Sequence, residues 1–339
     1  MPQVNELALW HNPAPAELGA DPVAFLEQLG RARCLVIPGV DRSRCRMMVT
    51  LLHGNEPSGL IALHRWLSDP QRQAPAVDIY CAVMNVAAAL RPPLFSHRQL
   101  PGLRDLNRCF RPPFDDTPGR RAASLMRLID RVRPEALVDI HNTSGSGPSF
   151  GVAVYFDQRH DALVSCFTDR MIITDLRLGA LMELSERQVP SVTIECGGAD
   201  DAHSANTAYE GLLRLVQQEA LFTRSEEDWS IEVLHNPVRL ELHHSLQIAY
   251  AEQRETSADL SLRVDIERLN FGAVERSTLL GWTNLSGWQR LSVVNSSGEN
   301  LRDEYLRFED GCLFPATRLK LFMITSNPAI AKSDCLLYA

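Results

Sequence analysis

Short apolar runs alternate with amphipathic stretches along the first two thirds of the chain. Residues 35–40 (LVIPGV), 47–52 (MMVTLL), 77–84 (VDIYCAVM), 136–140 (ALVDI), 151–156 (GVAVYF) and 191–194 (SVTI) have the length and apolar character of buried strands. Between them, residues 57–68, 118–132 and 205–222 carry helical spacing, and in the second of these Leu125, Leu128, Ile129 and Val132 form one apolar stripe. Asp21-Pro22 opens an additional short helix, with an N-cap followed by a first-turn proline. Strands interleaved with helices predict an α/β fold built on a mixed, largely parallel sheet flanked by helices. Beyond the polar break SEEDWS the helical spacing gives way to short alternating runs (IEVLH, VRLELH, LQIAY, WQRLSVV, LKLFMI) divided by Asn-Pro, Ser-Gly and Asp-Gly turns. The pattern predicts an α/β domain over residues 1–224 and a smaller, mainly β domain over 225–339, with extension of the first sheet as the alternative.

Three predicted strands end in ligand-type residues. MMVTLL runs into His53-Gly-Asn-Glu56, ALVDI into His141-Asn-Thr-Ser-Gly, and SVTI into Glu195-Cys-Gly-Gly. In parallel α/β sheets the carboxyl ends of strands face the ligand crevice, so these side chains are expected to converge. Two imidazoles and one carboxylate, with a fourth position open to water, make the donor set of a catalytic zinc. His53, Glu56 and His141 are therefore assigned as metal ligands and Glu195 as the general base. Asp139, two residues before His141, shares its side of the strand and is placed to hydrogen-bond behind it. Taken singly, a His-x-x-Glu or a strand-end histidine more often marks a hydrogen-bonded loop, and only the joint occurrence favours a metal. The remaining histidines, His64 and the His243-His244 pair among them, read as structural or exposed.

Composition narrows the partners. The 339 residues carry a net charge of -8, which disfavours a broad grip on nucleic acid. Lys320 and Lys332 are the only lysines, so the cationic side chains are nearly all arginine, whose planar fork suits carboxylates. Eight scattered cysteines without a CxxC pair read as reduced, buried thiols. Neither a signal peptide nor a membrane-length apolar run is visible, so a cytoplasmic protein without a membrane partner is expected. A homo-oligomer is compatible with these features. Between the two histidine segments, Asn107 and Arg108 offer amide donors and a guanidinium fork for a substrate carboxylate, although alone they read as loop anchors.

HGNE at 53–56, DLNR at 105–108, DIHNTSG at 139–145 and ECGG at 195–198 together resemble the signature of the aspartoacylase/succinylglutamate desuccinylase family, a branch of the zinc-carboxypeptidase-like superfamily. The resemblance implies one Zn2+ per chain on His53, Glu56 and His141, with Glu195 as general base and acid. It assigns Asn107 and Arg108 to the substrate carboxylate and implies a C-terminal β domain that narrows access. It also implies an arginine that polarises the scissile carbonyl, for which Arg98 is preferred to Arg91 and Arg104. Arg187 is the counterpart of the arginine that grips a second carboxylate. The activity so implied is hydrolysis of the amide bond of an N-acyl amino acid or related small carboxylate by attack of zinc-bound water. A zinc carboxypeptidase acting on short peptides and a non-catalytic zinc-bearing binding protein are the alternatives. Nothing suggests a nucleotide cofactor.

Overall fold

A computed structural model describes residues 6–186, 189–223, 231–333 and 335–339. The first helix begins as its sequence dictates. Asp21 accepts hydrogen bonds from the amides of Val23 and Ala24, Pro22 fills the first turn, and Gly30 closes the helix in the left-handed region. This helix, α1 (Pro22–Leu29), is followed by α2 (Ser58–Ser68), the single turn α3 (Val86–Ala89), α4 (Thr117–Val132), α5 (Gln158–Ser165) and α6 (Ser204–Gln217). The strands of the large sheet are β1 (Ala8–His11), β2 (Arg33–Ile37), β3 (Asp41–Thr50), β4 (Val77–Val83), β5 (Leu137–Thr143), β6 (Phe150–Ala153), β7 (Arg170–Ile173), β8 (Ser191–Gly198) and β9 (Glu232–His235).

Their order across the sheet is β1-β2-β4-β3-β5-β8-β6-β7-β9. β3 runs parallel to both β4 and β5, and β6 parallel to β7, whereas β2 opposes β4 and β6 opposes β8. The sheet is mixed and helix-flanked, as the alternating pattern predicts. Successive side chains of its central strands enter different cores. Met48, Val138, Ile140 and Ile194 pack with α1, α2, α5 and α6, while Met47, Val49 and Leu137 pack with α4. Burial on both faces explains why these strands read as continuous apolar runs rather than as alternation.

The chain divides into two units, Met1–Asn142 with Ser149–Leu234, and Thr143–Pro148 with His235–Ala339. The boundary expected at 224/225 lies outside the described residues, and the first unit's sheet takes in β9 before the division. The second unit is mainly β. Arg239–Leu242 sits between Leu291–Val294 and Leu337–Tyr338, and a five-stranded sheet is built from Ile248–Ala251, Leu260–Arg263, Gly281–Thr283, Cys312–Pro315 and Leu306–Glu309. Leu240, Leu260, Leu262, Leu291, Val293 and Leu313 fill its core. All eight cysteines are free, and all but Cys312 are buried. Among the described residues no helix is long and apolar enough to cross a membrane.

Candidate metal centre

His53 reaches the site through a corner that the apolar run does not announce. β3 ends at Thr50, and the buried Leu51 then adopts φ +54°, a left-handed conformation costing about 1–2 kcal/mol in a non-glycine residue. The corner is held from outside by the Gly54 amide, which donates to the Arg98 carbonyl over 2.9 Å. Gly54 must lack a side chain, because a Cβ there would lie 2.6 Å from the Ala89 nitrogen and 2.7 Å from the His97 carbonyl oxygen. α2 starts immediately afterwards, so Glu56 sits between the corner and the helix.

His141 and Glu195 arrive differently from expectation. Both lie inside their strands, β5 and β8, rather than past the ends, because hydrogen bonding continues into the polar residues. Strand alternation then fixes their direction. Val138 and Ile140 occupy the α2/α6 core, so Asp139 and His141 face the other side with Leu137. By the same count Ile194 and Cys196 belong to the α2/α6 core and Glu195 faces the opposite side.

The three assigned ligands come together, with one donor atom from each of His53, Glu56 and His141 within 4.8 Å of the others, and all three are buried. His53 Nδ1 is 2.8 Å from Glu56 Oε1, and His141 Nδ1 is 2.6 Å from Glu56 Oε2. Behind each ring a second carboxylate engages the far nitrogen: Asp105 Oδ1 at 2.9 Å from His53 Nε2, and Asp139 Oδ2 at 2.7 Å from His141 Nε2. A proton on each Nε2 satisfies those outer carboxylates and leaves both Nδ1 lone pairs turned toward Glu56. Two such nitrogens and a carboxylate are a donor set that fits a divalent metal with a position left open.

The electrostatics are those of charged groups packed together in a buried cluster. Burial opposes ionisation of Glu56, but the two imidazoles outweigh it and hold its pKa well below the ordinary range. Burial likewise opposes protonation of His141, and Asp139 with Glu56 overrides it and holds that pKa well above the usual value. Asp105 is also kept low, since His53 and Arg98 overcome its burial. Glu195 goes the other way. Burial, reinforced by Glu56 and opposed by His141 and His53, pushes its pKa up to about 7, and its Oε2 is buried with no hydrogen-bond partner among the described residues.

Of the three arginines considered for the carbonyl, Arg98 approaches the set. It grips Asp105 through Nε and Nη2 at 3.1 and 2.8 Å, with Nη1 3.5 Å from Glu56 Oε1. Arg104 instead pairs with Asp116 at the start of α4, and Arg91 is exposed. Asn107 is buried beside the centre, its Nδ2 3.4 Å from His141 Nε2 and its Oδ1 accepting from the Leu181 amide over 2.9 Å. Arg108 donates to the Asn107 carbonyl at 2.9 Å and makes no ion pair among the described residues. Arg187 lies outside the described residues.

Two contributors carry no role in the sequence reading. Asp105 is the counterpart of Asp139 for the other imidazole, and it was legible only as a carboxylate two residues before Asn107. Asn142 accepts from the Ser58 amide at 3.1 Å and donates to Ser58 Oγ at 2.7 Å and the Gly197 carbonyl at 2.9 Å, tying α2, β5 and β8 together behind the ligands. An asparagine following a strand-borne ligand gives no local sign of such partners.

Residues 47–216, half of the 339-residue chain, match the family described as the succinylglutamate desuccinylase/aspartoacylase catalytic domain. No curated protein matches the chain. Among solved structures, a succinylglutamate desuccinylase/aspartoacylase from Rhodobacter sphaeroides is similar at 14% identity and TM-score 0.52, covering 85% of this chain and 82% of that one. The product-bound ectoine utilization protein EutE (DoeB) from Ruegeria pomeroyi is similar at 16% identity and TM-score 0.53, covering 84% and 87%. A succinylglutamate desuccinylase from Vibrio cholerae is similar at 16% identity and TM-score 0.51, covering 81% and 86%. At these identities the likeness is one of fold.

Proposed function

Since the chain belongs to the succinylglutamate desuccinylase/aspartoacylase family, a family of hydrolytic deacylases, we propose that it is a zinc-dependent hydrolase of the amide bond in an N-acyl amino acid or related small carboxylate. His53 and His141, through Nδ1, and Glu56 would hold one zinc ion. The ion, when bound, lowers the pKa of water and polarises an acyl carbonyl. Asn107 Nδ2 and Arg108 bind the substrate carboxylate, a two-point contact that orients the amide. Arg98 stabilises the oxygen that becomes negative as water adds to the acyl carbon. Glu195 accepts the proton released by the attacking water and delivers it to the amide nitrogen as the C–N bond breaks. A carboxylic acid and a free amino acid leave the site.

One observation carries this reading: both imidazoles have Nε2 engaged by a carboxylate and Nδ1 aimed at the same Glu56. Glu195, buried with an oxygen that has no partner among the described residues and with its pKa pushed up to about 7, supplies the proton carrier that simple metal binding has no use for. Metal analysis of the purified protein, joined to a mass-spectrometric screen of N-acyl amino acids and short peptides, tests it. About one zinc per chain and turnover of N-acyl amino acids are expected, and replacement of Glu195 by Gln keeps the zinc while lowering kcat roughly 10²–10⁴-fold. Turnover confined to peptides makes the protein a carboxypeptidase, and undiminished turnover in the Gln variant removes Glu195 from the chemistry.

A further inference from the structure

A third carboxylate–imidazole pair lies apart from the candidate metal ligands. His160, on α5 and fully buried, has Nδ1 2.6 Å from Asp157 Oδ1 and Nε2 2.6 Å from Ser185 Oγ. Asp157 is also the N-cap of α5, accepting from the amides of Arg159 and His160, and Tyr155 packs edge-on to the His160 ring at 4.5 Å. The order Asp-His-Ser is that of a nucleophile triad. Ser185, however, is buried, its Oγ accepts from the Ser191 amide at 3.2 Å, and its carbonyl accepts from the Tyr155 hydroxyl at 3.1 Å. With the imidazole proton on Nδ1, Asp157 accepts it and the Ser185 hydroxyl donates to Nε2. Burial holds the His160 pKa below its ordinary value, consistent with a neutral ring. Every polar group of the relay is satisfied, so it acts as a fastening and not as a nucleophile.

What it fastens is the two-turn 3-10 segment Leu181–Glu186. At the other end of that segment the Leu181 amide donates to Asn107 Oδ1 at 2.9 Å. The approach is tight. The Gly179 carbonyl accepts from the Phe110 amide at 3.0 Å, and Gly179 has φ +83°, where a Cβ would lie 2.8 Å from the Arg108 carbonyl oxygen. Glu183 stiffens the turn by accepting from the amides of Leu178, Gly179 and Ala180 at 2.7, 2.8 and 2.9 Å. A primary amide has one acceptor end and one donor end, and Leu181 occupies the acceptor end. The Asn107 side chain is thereby kept from flipping, with its NH2 directed away from Leu181.

We propose that His160, together with Asp157 and Ser185, is a positioning residue for substrate recognition: the relay anchors the 181–186 turn, whose Leu181 amide fixes the Asn107 side chain with its donor end toward the substrate carboxylate. The inference rests on the N-acyl amino acid reading above and adds to it the part of the chain that sets the carboxylate clamp.

Steady-state kinetics of the zinc-loaded full chain test it, using the N-acyl amino acid turned over best and the analogue whose carboxylate is replaced by a carboxamide. Ser185→Ala and His160→Gln are expected to raise KM for the acid roughly tenfold, with kcat and zinc content held and KM for the carboxamide unchanged. Ser185→Thr, which retains the hydroxyl, restores the KM for the acid. On an Asn107→Ala background Ser185→Ala adds no further rise, since both act through one contact. Equal losses on both substrates, or additive penalties in the double variant, overturn the proposal. Nitrogen-15 NMR of the histidines gives a readout free of activity: His160 is expected to be neutral with its proton on Nδ1, and a proton on Nε2 overturns the relay. A wild-type enzyme inert toward all N-acyl amino acids defeats the functional reading itself, whereas an active wild type with unaltered variants defeats only this inference.

Discussion

Glu195 is a buried carboxylate with one oxygen that has no donor among the described residues, and its raised pKa has a consequence for stability. The folded, metal-free protein holds this proton up to about pH 7, whereas an unfolded chain releases it near the ordinary 4.5. The folded pKa is the higher one, so the stability it contributes is fully present below pH 4.5 and is lost as pH rises through about 7. By linkage the difference amounts to about 3 kcal/mol. Glu195→Gln is therefore expected to stabilise the metal-free protein at pH 8 and to leave it nearly unchanged at pH 4, as read from urea midpoints at the two pH values. An equal effect at both assigns the change to packing. At this scale the sequence was informative for residues whose chemistry is rare. Two histidines and a glutamate in strand-end contexts named the candidate ligands, whereas Asp105 stayed hidden because a carboxylate in a loop has many uses.

The elements meet at the site through one asparagine. Asn142 joins the N-terminus of α2 to β8 from its place on β5, and removing its amide leaves the Ser58 amide and the Gly197 carbonyl without those partners. Asn142→Ala is expected to cost roughly 2–4 kcal/mol in chemical denaturation, the range for several buried hydrogen bonds lost together. A loss below about 0.5 kcal/mol shows that water replaces the amide. The elements themselves were legible wherever apolar periodicity ran long enough. α4 was read from its apolar stripe, and its cap emerged from the structure, where Asp116 accepts from the Gly119 amide. α5 and β7 were not. α5 has eight residues with weak segregation of apolar positions, and β7 is the four-residue run Arg170–Ile173, too short to carry a period.

For the whole molecule, the candidate ligands come from two separate stretches of the first unit, residues 53–56 and His141, so a bound ion would tie the corner between β3 and α2 to β5. Chelation is expected to lower Tm, and zinc held at about 100 times its Kd adds roughly 2.7 kcal/mol to unfolding. A Tm indifferent to chelator and to added zinc argues that these residues hold no ion. The sequence by itself determined the α/β class, the order of the main elements, the three candidate ligands and the carboxylate expected to carry the proton. These follow from side-chain type and local period, which are properties of short windows. Only the tertiary structure decided that Asp105 stands behind the His53 imidazole, that Arg98 rather than Arg104 approaches Glu56, that β9 joins the large sheet, and that the Leu181 amide donates to Asn107. Each of these is a pairing of segments at least about forty residues apart in the chain, fixed by strand order and by the path of loops around the sheet. No local pattern of polar and apolar residues encodes such a pairing.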